Sequence, residues 1–425
     1  MTEACDVLVI GGGPAGSTAA ALLAERGLAV VMLEKAAHPR FHIGESLLPR
    51  NMEIIARLGL TDQVRAMGVL KPGAEFVSDA TGESVAFPFA NSLNPSYTYS
   101  FQVPRAEFDA ALFANARAKG ARTVERSRAT DIAFAPDAGP ARVTAENADG
   151  TKRIYAARFV LDASGRDSFM AGRLKTRRAN KQNTTAAAYA HYRGVARREG
   201  ELAGFITVHL VDDGWFWMIP LPGDVMSVGF VGDQSAWRGR TGTTGELFAE
   251  RLLASASVAA RMAGAERISD IHSTGNYSYC ADSAWGEGFF MIGDAFAFVD
   301  PVFSSGVLLA MTAGELGADV ACAWLKNPAA GRAAARRAEV LLREGMENLS
   351  WLIYRINDPV LRGMFMAPSN RLRMRDGMIT LLAGNLRIGW RAKGPILMLK
   401  GAYYLLRFLA RFERSEDRAI TLPAE

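Results

Sequence analysis

Residues 6–10, DVLVI, run directly into Gly11-Gly12-Gly13-Pro14-Ala15-Gly16 and then into an alanine-rich stretch, 17–26. A β-branched run, a glycine turn and a helix-forming segment in that order predict strand, tight turn and helix. Gly11, Gly13 and Gly16 satisfy G-x-G-x-x-G: the first permits the turn, the second lets a pyrophosphate approach the backbone, and the third lets helix pack on strand. The helix start, with Ala15 on it, offers unpaired amides and a positive dipole end to phosphates. A second strand, 29–33, ends at Glu34, spaced to accept hydrogen bonds from ribose hydroxyls, with Lys35 beside it. A glycine turn alone would mark only a strand–helix connection. The complete βαβ context predicts a dinucleotide bound by a Rossmann-like α/β unit.

Two distant segments extend the site. A strand-like run at 158–161 leads into Asp162-Ala163-Ser164-Gly165-Arg166, and another at 289–292 ends in Gly293-Asp294. Separate strands converging on one cofactor favour FAD over NAD, with the Asp294 carboxylate able to accept from a ribityl hydroxyl. No second nucleotide-binding glycine unit follows, which fits reduction of the flavin by a separate flavin reductase.

Composition removes other classes. The 425 residues are 49% hydrophobic and 22% charged, enough for two to three structural units. A net charge of +5 without a basic block argues against nucleic acid. Cys5, Cys280 and Cys322 lie far apart without metal-ligand spacing, so no metal is expected, and the odd count fits a reducing cytoplasm. Neither a secretion leader nor a transmembrane run of about 18 apolar residues is visible.

The segment 40–49, RFHIGESLLP, taken with the three nucleotide-binding segments, resembles the flavoprotein monooxygenase superfamily typified by para-hydroxybenzoate hydroxylase. Its Gly44-Glu45-Ser46 core is shared with geranylgeranyl reductases and flavin-dependent halogenases. The segment 103–109, VPRAEFD, resembles the part of that family in which an arginine, here Arg105, approaches the flavin. Three features narrow the resemblance to the flavin-dependent halogenases. Residues 215–220, WFWMIP, match W-x-W-x-I-P; residues 298–306, FVDPVFSSG, match F-x-x-P-x-x-S-x-G; and Lys71 stands where phenol- and pyrrole-type members carry their active-site lysine. Residues 298–311 contain none of the glutamate that tryptophan-type members place there, which points to the phenol/pyrrole branch.

The resemblance implies FAD held by Gly11, Gly13, Ala15, Gly16, Glu34, Lys35, Arg40, His42, Ile43, Gly44, Glu45, Ser46, Arg105, Asp162, Gly293, Asp294, Pro301, Gly306 and Val307. It also implies that FADH2, O2 and chloride or bromide yield hypohalous acid, with the halide held by Ser304, Ser305 and Gly306 at a helix start. Lys71 is the catalytic amine: as ammonium it orients the oxidant by hydrogen bonding, as neutral amine it forms a haloamine, and burial favours the neutral form. Trp215 and Trp217, two apart on a strand, face the same side and wall the flavin from the substrate, so that only a small oxidant crosses. Two other readings stay open: an aromatic monooxygenase or geranylgeranyl-reductase-like enzyme on the same cofactor site, and a non-catalytic flavin-binding subunit that docks a carrier protein.

The expected architecture is α/β, a Rossmann-like FAD domain (1–75, 99–180, 270–330) interleaved with a β-sheet substrate domain (76–98, 181–269), then a helical region (331–425). In that last region 387–412 reads as an amphipathic helix. Lys393, Lys400, Arg407, Arg411 and Arg414 form one stripe, leaving Leu397, Tyr404, Leu405, Phe408 and Phe412 largely elsewhere. Such a face suits a lid, an acyl or peptidyl carrier protein, or peripheral contact with an anionic membrane.

Overall fold

The computed structural model describes residues 2–93, 95–135, 139–180, 185–237, 242–275, 278–298, 303–386 and 388–420. The first strand, Thr2–Ile10, pairs in parallel with Val30–Leu33 on one side and Lys152–Asp162 on the other. The sheet extends to Phe289–Met291 and Arg122–Val124, also in parallel register, as the glycine-turn unit requires. Val7, Leu8 and Val9 are fully buried, the continuous apolar run expected of a strand covered on both faces. Helix Pro14–Glu25 follows the glycine turn and packs on helix Ser305–Lys326. A Cβ on Gly314 would lie 2.5 Å from the Ala15 carbonyl oxygen, so these two helices approach at backbone distance.

A second sheet runs Glu266–Arg267, Thr185–Arg193, Val225–Asp233, Gly214–Leu221, Ile206–Val211, Gly73–Ser78, Ser84–Pro88. Its central strand Gly214–Leu221 is buried on both faces. Trp215, Trp217 and Ile219 share one face, while Phe216 and Met218 point the other way, toward Phe248, Leu252 and Val258 of two small helices. A two-stranded ribbon, Val69–Lys71 with Ser100–Gln102, pairs Lys71 with Ser100.

The helical stretch after the second signature begins at Ser305 and continues to Lys326; Pro328 then opens a new helix to Ile353, with the Asn327 side chain accepting from the Ala329 amide. Pro359–Met366, Met374–Leu382 and Trp390–Ile420 follow. Among the described residues only Ser305–Lys326 is long and apolar enough to cross a membrane, and most of it is buried inside the fold. The last helix packs through Ala392, Ile396, Leu399 and Tyr403. Leu397, Tyr404, Leu405 and Phe408 stay exposed instead, because a second apolar stripe wins the packing.

Candidate functional site

One cavity of about 990 Å³ runs from the glycine turn to the aromatic face of the second sheet, at the upper end of the roughly 300–1,000 Å³ usual for small-molecule and cofactor sites. Gly11, Gly13, Ala15, Glu34, Lys35, Arg40, His42, Ile43, Gly44, Glu45, Ser46, Arg105, Asp294, Ser304, Gly306, Val307, Trp215 and Trp217 all line it. The lining holds six Lys or Arg side chains against four carboxylates, a positive bias suited to a pyrophosphate.

At the glycine turn each of the three positions has a separate steric reason. Gly11 holds φ +109°, and a Cβ there would fall 2.2 Å from the Ala163 carbonyl oxygen. A Cβ on Gly16 would lie 1.9 Å from the Gly11 oxygen, whereas one on Gly13 meets nothing closer than Arg40 at 3.7 Å. Gly16 thus serves packing, and Gly13 keeps the approach to the helix start open. That start carries no side-chain cap, so its amides remain for an anion. Glu34 accepts from the amides of Gly12 and Ala36, both at 2.8 Å.

Arg105 is held by Asp109, through Nε at 2.8 Å and Nη2 at 3.0 Å, and donates to the Ile43 carbonyl at 2.7 Å. Burial pushes the Asp109 carboxyl up, but the charge and hydrogen bonds of Arg105 outweigh it and hold the group below its usual range. Gly44 has φ +103° and a Cβ there would sit 3.0 Å from Arg105 Nη1. Burial raises Asp294 to about 7 against the opposing charges of Arg105 and Arg166.

Lys71 is 1% exposed. Its Nζ donates to Ser46 Oγ at 2.8 Å and to the Leu47 carbonyl at 2.9 Å, and lies 5.3 Å from the Phe89 ring centre. No carboxylate pairs with it among the described residues, and burial lowers its pKa to about 7. Lys71 does not itself line the cavity; Ser46 stands between them. In the second sheet, Trp217 donates to Ser227 Oγ at 3.2 Å and its ring centre lies 5.9 Å from that of Trp215. Its six-membered ring lies over Gly229, where any Cβ would come within 2.2 Å.

Some sequence-predicted residues stand elsewhere. Asp162 lies behind the cavity wall, its carboxylate accepting from the Ser164 amide at 3.0 Å and the Met170 amide at 2.7 Å. Ser305 is wholly buried and off the cavity surface, its hydroxyl without a hydrogen-bond partner among the described residues. Gly293, at φ +61°, and Gly16 shape the backbone without lining the space. Pro301 lies outside the described residues. Conversely, sequence reasoning missed Asp109, although its i+4 spacing from Arg105 on a helix was a readable signal. It also missed Tyr189, His272 and His191. The His191 ring nitrogen lies 2.5 Å from Glu45 Oε1 across 146 positions of chain, and nothing local announces such a contact.

The fit of FAD can be tested on polar atoms left over. Glu45 Oε2 and Ser127 Oγ belong to cavity-lining residues, are buried, and have no hydrogen-bond partner among the described residues. Buried polar atoms are normally satisfied, so two orphans along a cavity with an open helix start fit a long ligand with hydroxyls. Fold and site together define a flavoprotein with an FAD site. The family of FAD-binding domains matches residues 4–323. A tryptophan 2-halogenase of Chondromyces crocatus is 37% identical over 75% of this chain and 61% of its own. A flavin-dependent halogenase of Armillaria mellea is 34% identical over 76% and 68%. A 1H-pyrrole-2-carbonyl-[peptidyl-carrier protein] chlorinase of Pseudomonas fluorescens is 27% identical over 91% and 90%. Among solved structures, a flavoprotein/dehydrogenase from Cytophaga hutchinsonii superposes with a TM-score of 0.86 at 30% identity, covering 98% of this chain and all of that one. A flavin-dependent brominase superposes with a TM-score of 0.84 at 26% identity, covering 97% of this chain and all of that one. The chain belongs to the FAD-binding-domain family, among its flavin-dependent halogenases, and spans about three fifths of the length of the tryptophan 2-halogenase.

Proposed function

We propose that this protein is a cytoplasmic FADH2-dependent halogenase that uses O2 and chloride or bromide to halogenate an electron-rich aromatic substrate, with FADH2 delivered by a separate flavin reductase. The observation that carries this reading is the buried, carboxylate-free amine of Lys71 tied through Ser46 to the wall of the FAD cavity. FAD, when bound and reduced, supplies electrons to O2 and with halide gives hypohalous acid. The chain's own groups have distinct tasks. Gly13, Ala15 and the helix start behind them hold phosphate, Glu34 holds the ribose, and Arg105 and Asp294 stand beside the remaining lining. Ser304, at φ +59°, caps helix Ser305–Lys326 without a side-chain hydrogen bond, which leaves its first amides for a halide. Trp215 and Trp217 keep bulky substrate from the flavin side of the cavity.

Lys71 then orients the oxidant. Two of the three N–H bonds of its ammonium are used by Ser46 and Leu47, so one remains for hypohalous acid that passes the cavity wall at Ser46. The absence of glutamate over 298–311 and the pyrrole-carrier chlorinase among the relatives support a phenol- or pyrrole-type, carrier-bound substrate.

The test is mass spectrometry of reactions containing reduced FAD, O2, bromide and a phenol or pyrrole probe, free and carrier-linked. A diffusible trap for hypobromous acid is run in parallel. Brominated probe with wild type and none with Lys71→Met, while both variants bind FAD and brominate the trap, is expected. Oxygen insertion into the probe without bromide, or direct NADPH oxidation stimulated by the probe, would overturn the reading in favour of a hydroxylase.

A further inference from the structure

Of the seventeen large apolar side chains exposed in the described residues, eight lie on one helix, Trp390–Ile420: Trp390, Leu397, Met398, Tyr404, Leu405, Leu406, Phe408 and Leu409. At 100° per residue, the stripe that packs on the body is Ala392, Ile396, Leu399 and Tyr403. Trp390, Leu397, Tyr404 and Leu405 fall on the opposite side, with Gly394 and Gly401 among them. Lys393, Lys400 and Arg407 run along one border between the two sides. A helix apolar on both faces is ordinarily buried on both, and here the outward face is 79% exposed at Trp390, 62% at Leu397 and 59% at Leu405.

Charge says what covers it. Over 390–410, which holds the exposed apolar side chains, the helix contains Arg391, Lys393, Lys400 and Arg407 and no aspartate or glutamate; its acids, Glu413, Glu416 and Asp417, follow that face toward the end of the helix. Arg407 is the most occupied of the described cations, near Asp358 at 3.5 Å, and Lys400 lies over the Trp351 ring at 5.4 Å; Lys393 is exposed. An isologous contact centred on 390–410 would set this stretch against itself, cation against cation, with the acids of the helix beyond the apolar face. An acidic soluble protein would answer the cations but leave most of the apolar face in water. An anionic bilayer answers both, because its headgroups attract the basic border while the acyl boundary takes up the apolar side chains. The same helix also roofs an apolar groove of about 470 Å³ lined by Met364, Met374, Met378, Leu399, Leu406 and Leu409, so apolar surface continues around its edge.

We infer that the outward face of helix Trp390–Ile420 is an in-plane docking surface for anionic phospholipid membrane, independent of what the flavin site does. The span from Trp390 to Arg407 is about 27 Å at 1.5 Å per residue, long enough to lie flat at the interface.

The experiment is co-sedimentation of the full chain, loaded with FAD, on phosphatidylcholine vesicles with and without about one third phosphatidylglycerol. Binding to the anionic vesicles is expected, falling at least about tenfold on neutral vesicles and falling as salt is raised. Leu397→Glu with Leu405→Glu, both on exposed positions, should lower partition by on the order of tenfold or more while the flavin spectrum and melting temperature stay at wild-type values. Lys393→Ala with Lys400→Ala should weaken binding less and flatten its salt dependence. Equal partition of wild type and the double glutamate variant on anionic vesicles, or no partition of either, would overturn the inference. So would a concentration-dependent dimer, seen by light scattering without lipid, that the double glutamate variant dissolves.

Discussion

The lining of the FAD cavity and the lysine behind its wall treat charge in opposite ways. Along the cavity lining two backbone amides hold Glu34, and Asp109 grips Arg105 with two hydrogen bonds. Behind the cavity wall, past Ser46, Lys71 is more deeply buried than Glu34 or Arg105, yet its hydrogen-bond acceptors are a neutral hydroxyl and a neutral carbonyl. A paired charge stays charged across the working pH range and serves as scaffold. An unpaired buried amine sits near its own titration point at neutrality, which is the condition for handling protons and oxidant.

The harshest way to break this contrast is at the glycine turn. Gly16→Ala places a methyl group on the Gly11 carbonyl oxygen, and it should destabilise the fold by about 4 kcal/mol or more and abolish FAD binding; FAD at wild-type stoichiometry with an unchanged melting temperature would show that the glycine turn is not the tight scaffold described. Next in size, Lys71→Met should keep FAD and lower probe bromination by on the order of 10²-fold or more, the usual scale for a positioned proton-handling group. If bromination persists in rapid-quench assays at the wild-type rate, the amine has no chemical role.

The same lysine sharpens the contrast through pH. Its folded pKa of about 7 lies below the 10.5 of the ordinary side chain. Between those values the unfolded chain holds the extra proton, so this group's contribution makes stability rise with pH; below about 7 its burial cost is fully present. Lys71→Met should therefore raise the melting temperature more at pH 6 than at pH 9, and a gain independent of pH would mean that the amine is not titrating inside the fold. Bromination that depends on the ammonium should likewise decline as pH rises through about 7 while FAD affinity holds.

The smallest effect is expected at His191. Burial lowers the His191 pKa, but the hydrogen bond and charge of Glu45 more than restore it, so the pair links the Gly44-Glu45-Ser46 turn to the second sheet. His191→Gln should weaken FAD binding by roughly 1 kcal/mol, read by flavin fluorescence titration, with little change in melting temperature. A loss as large as that of Gly16→Ala would place this pair in the rigid scaffold instead.

The nucleotide end was legible because its chemistry is local. Turn, amide cradle and Glu34 lie within one βαβ unit, and the steric need for glycine at 11 and 16 follows from neighbours a few residues away or one strand over. The paired tryptophans were legible for the same reason, since alternation along a strand sends Trp215 and Trp217 to one face. Asp162 was misplaced by the same local logic: it ends a strand at the right edge of the sheet, but the Ser164 and Met170 amides reach its carboxylate first.

By itself, then, the sequence determined a parallel sheet with a dinucleotide cradle, an aromatic wall and a lysine of interest, because periodicity and turn chemistry act over a few residues. Only the tertiary structure decided that Lys71 is sealed in without a counter-charge among the described residues, that Glu45 meets His191, and which apolar stripe of the last helix packs while the other faces out. Burial and charge pairing depend on segments more than a hundred residues apart, and no local pattern encodes which of two similar faces the rest of the chain covers.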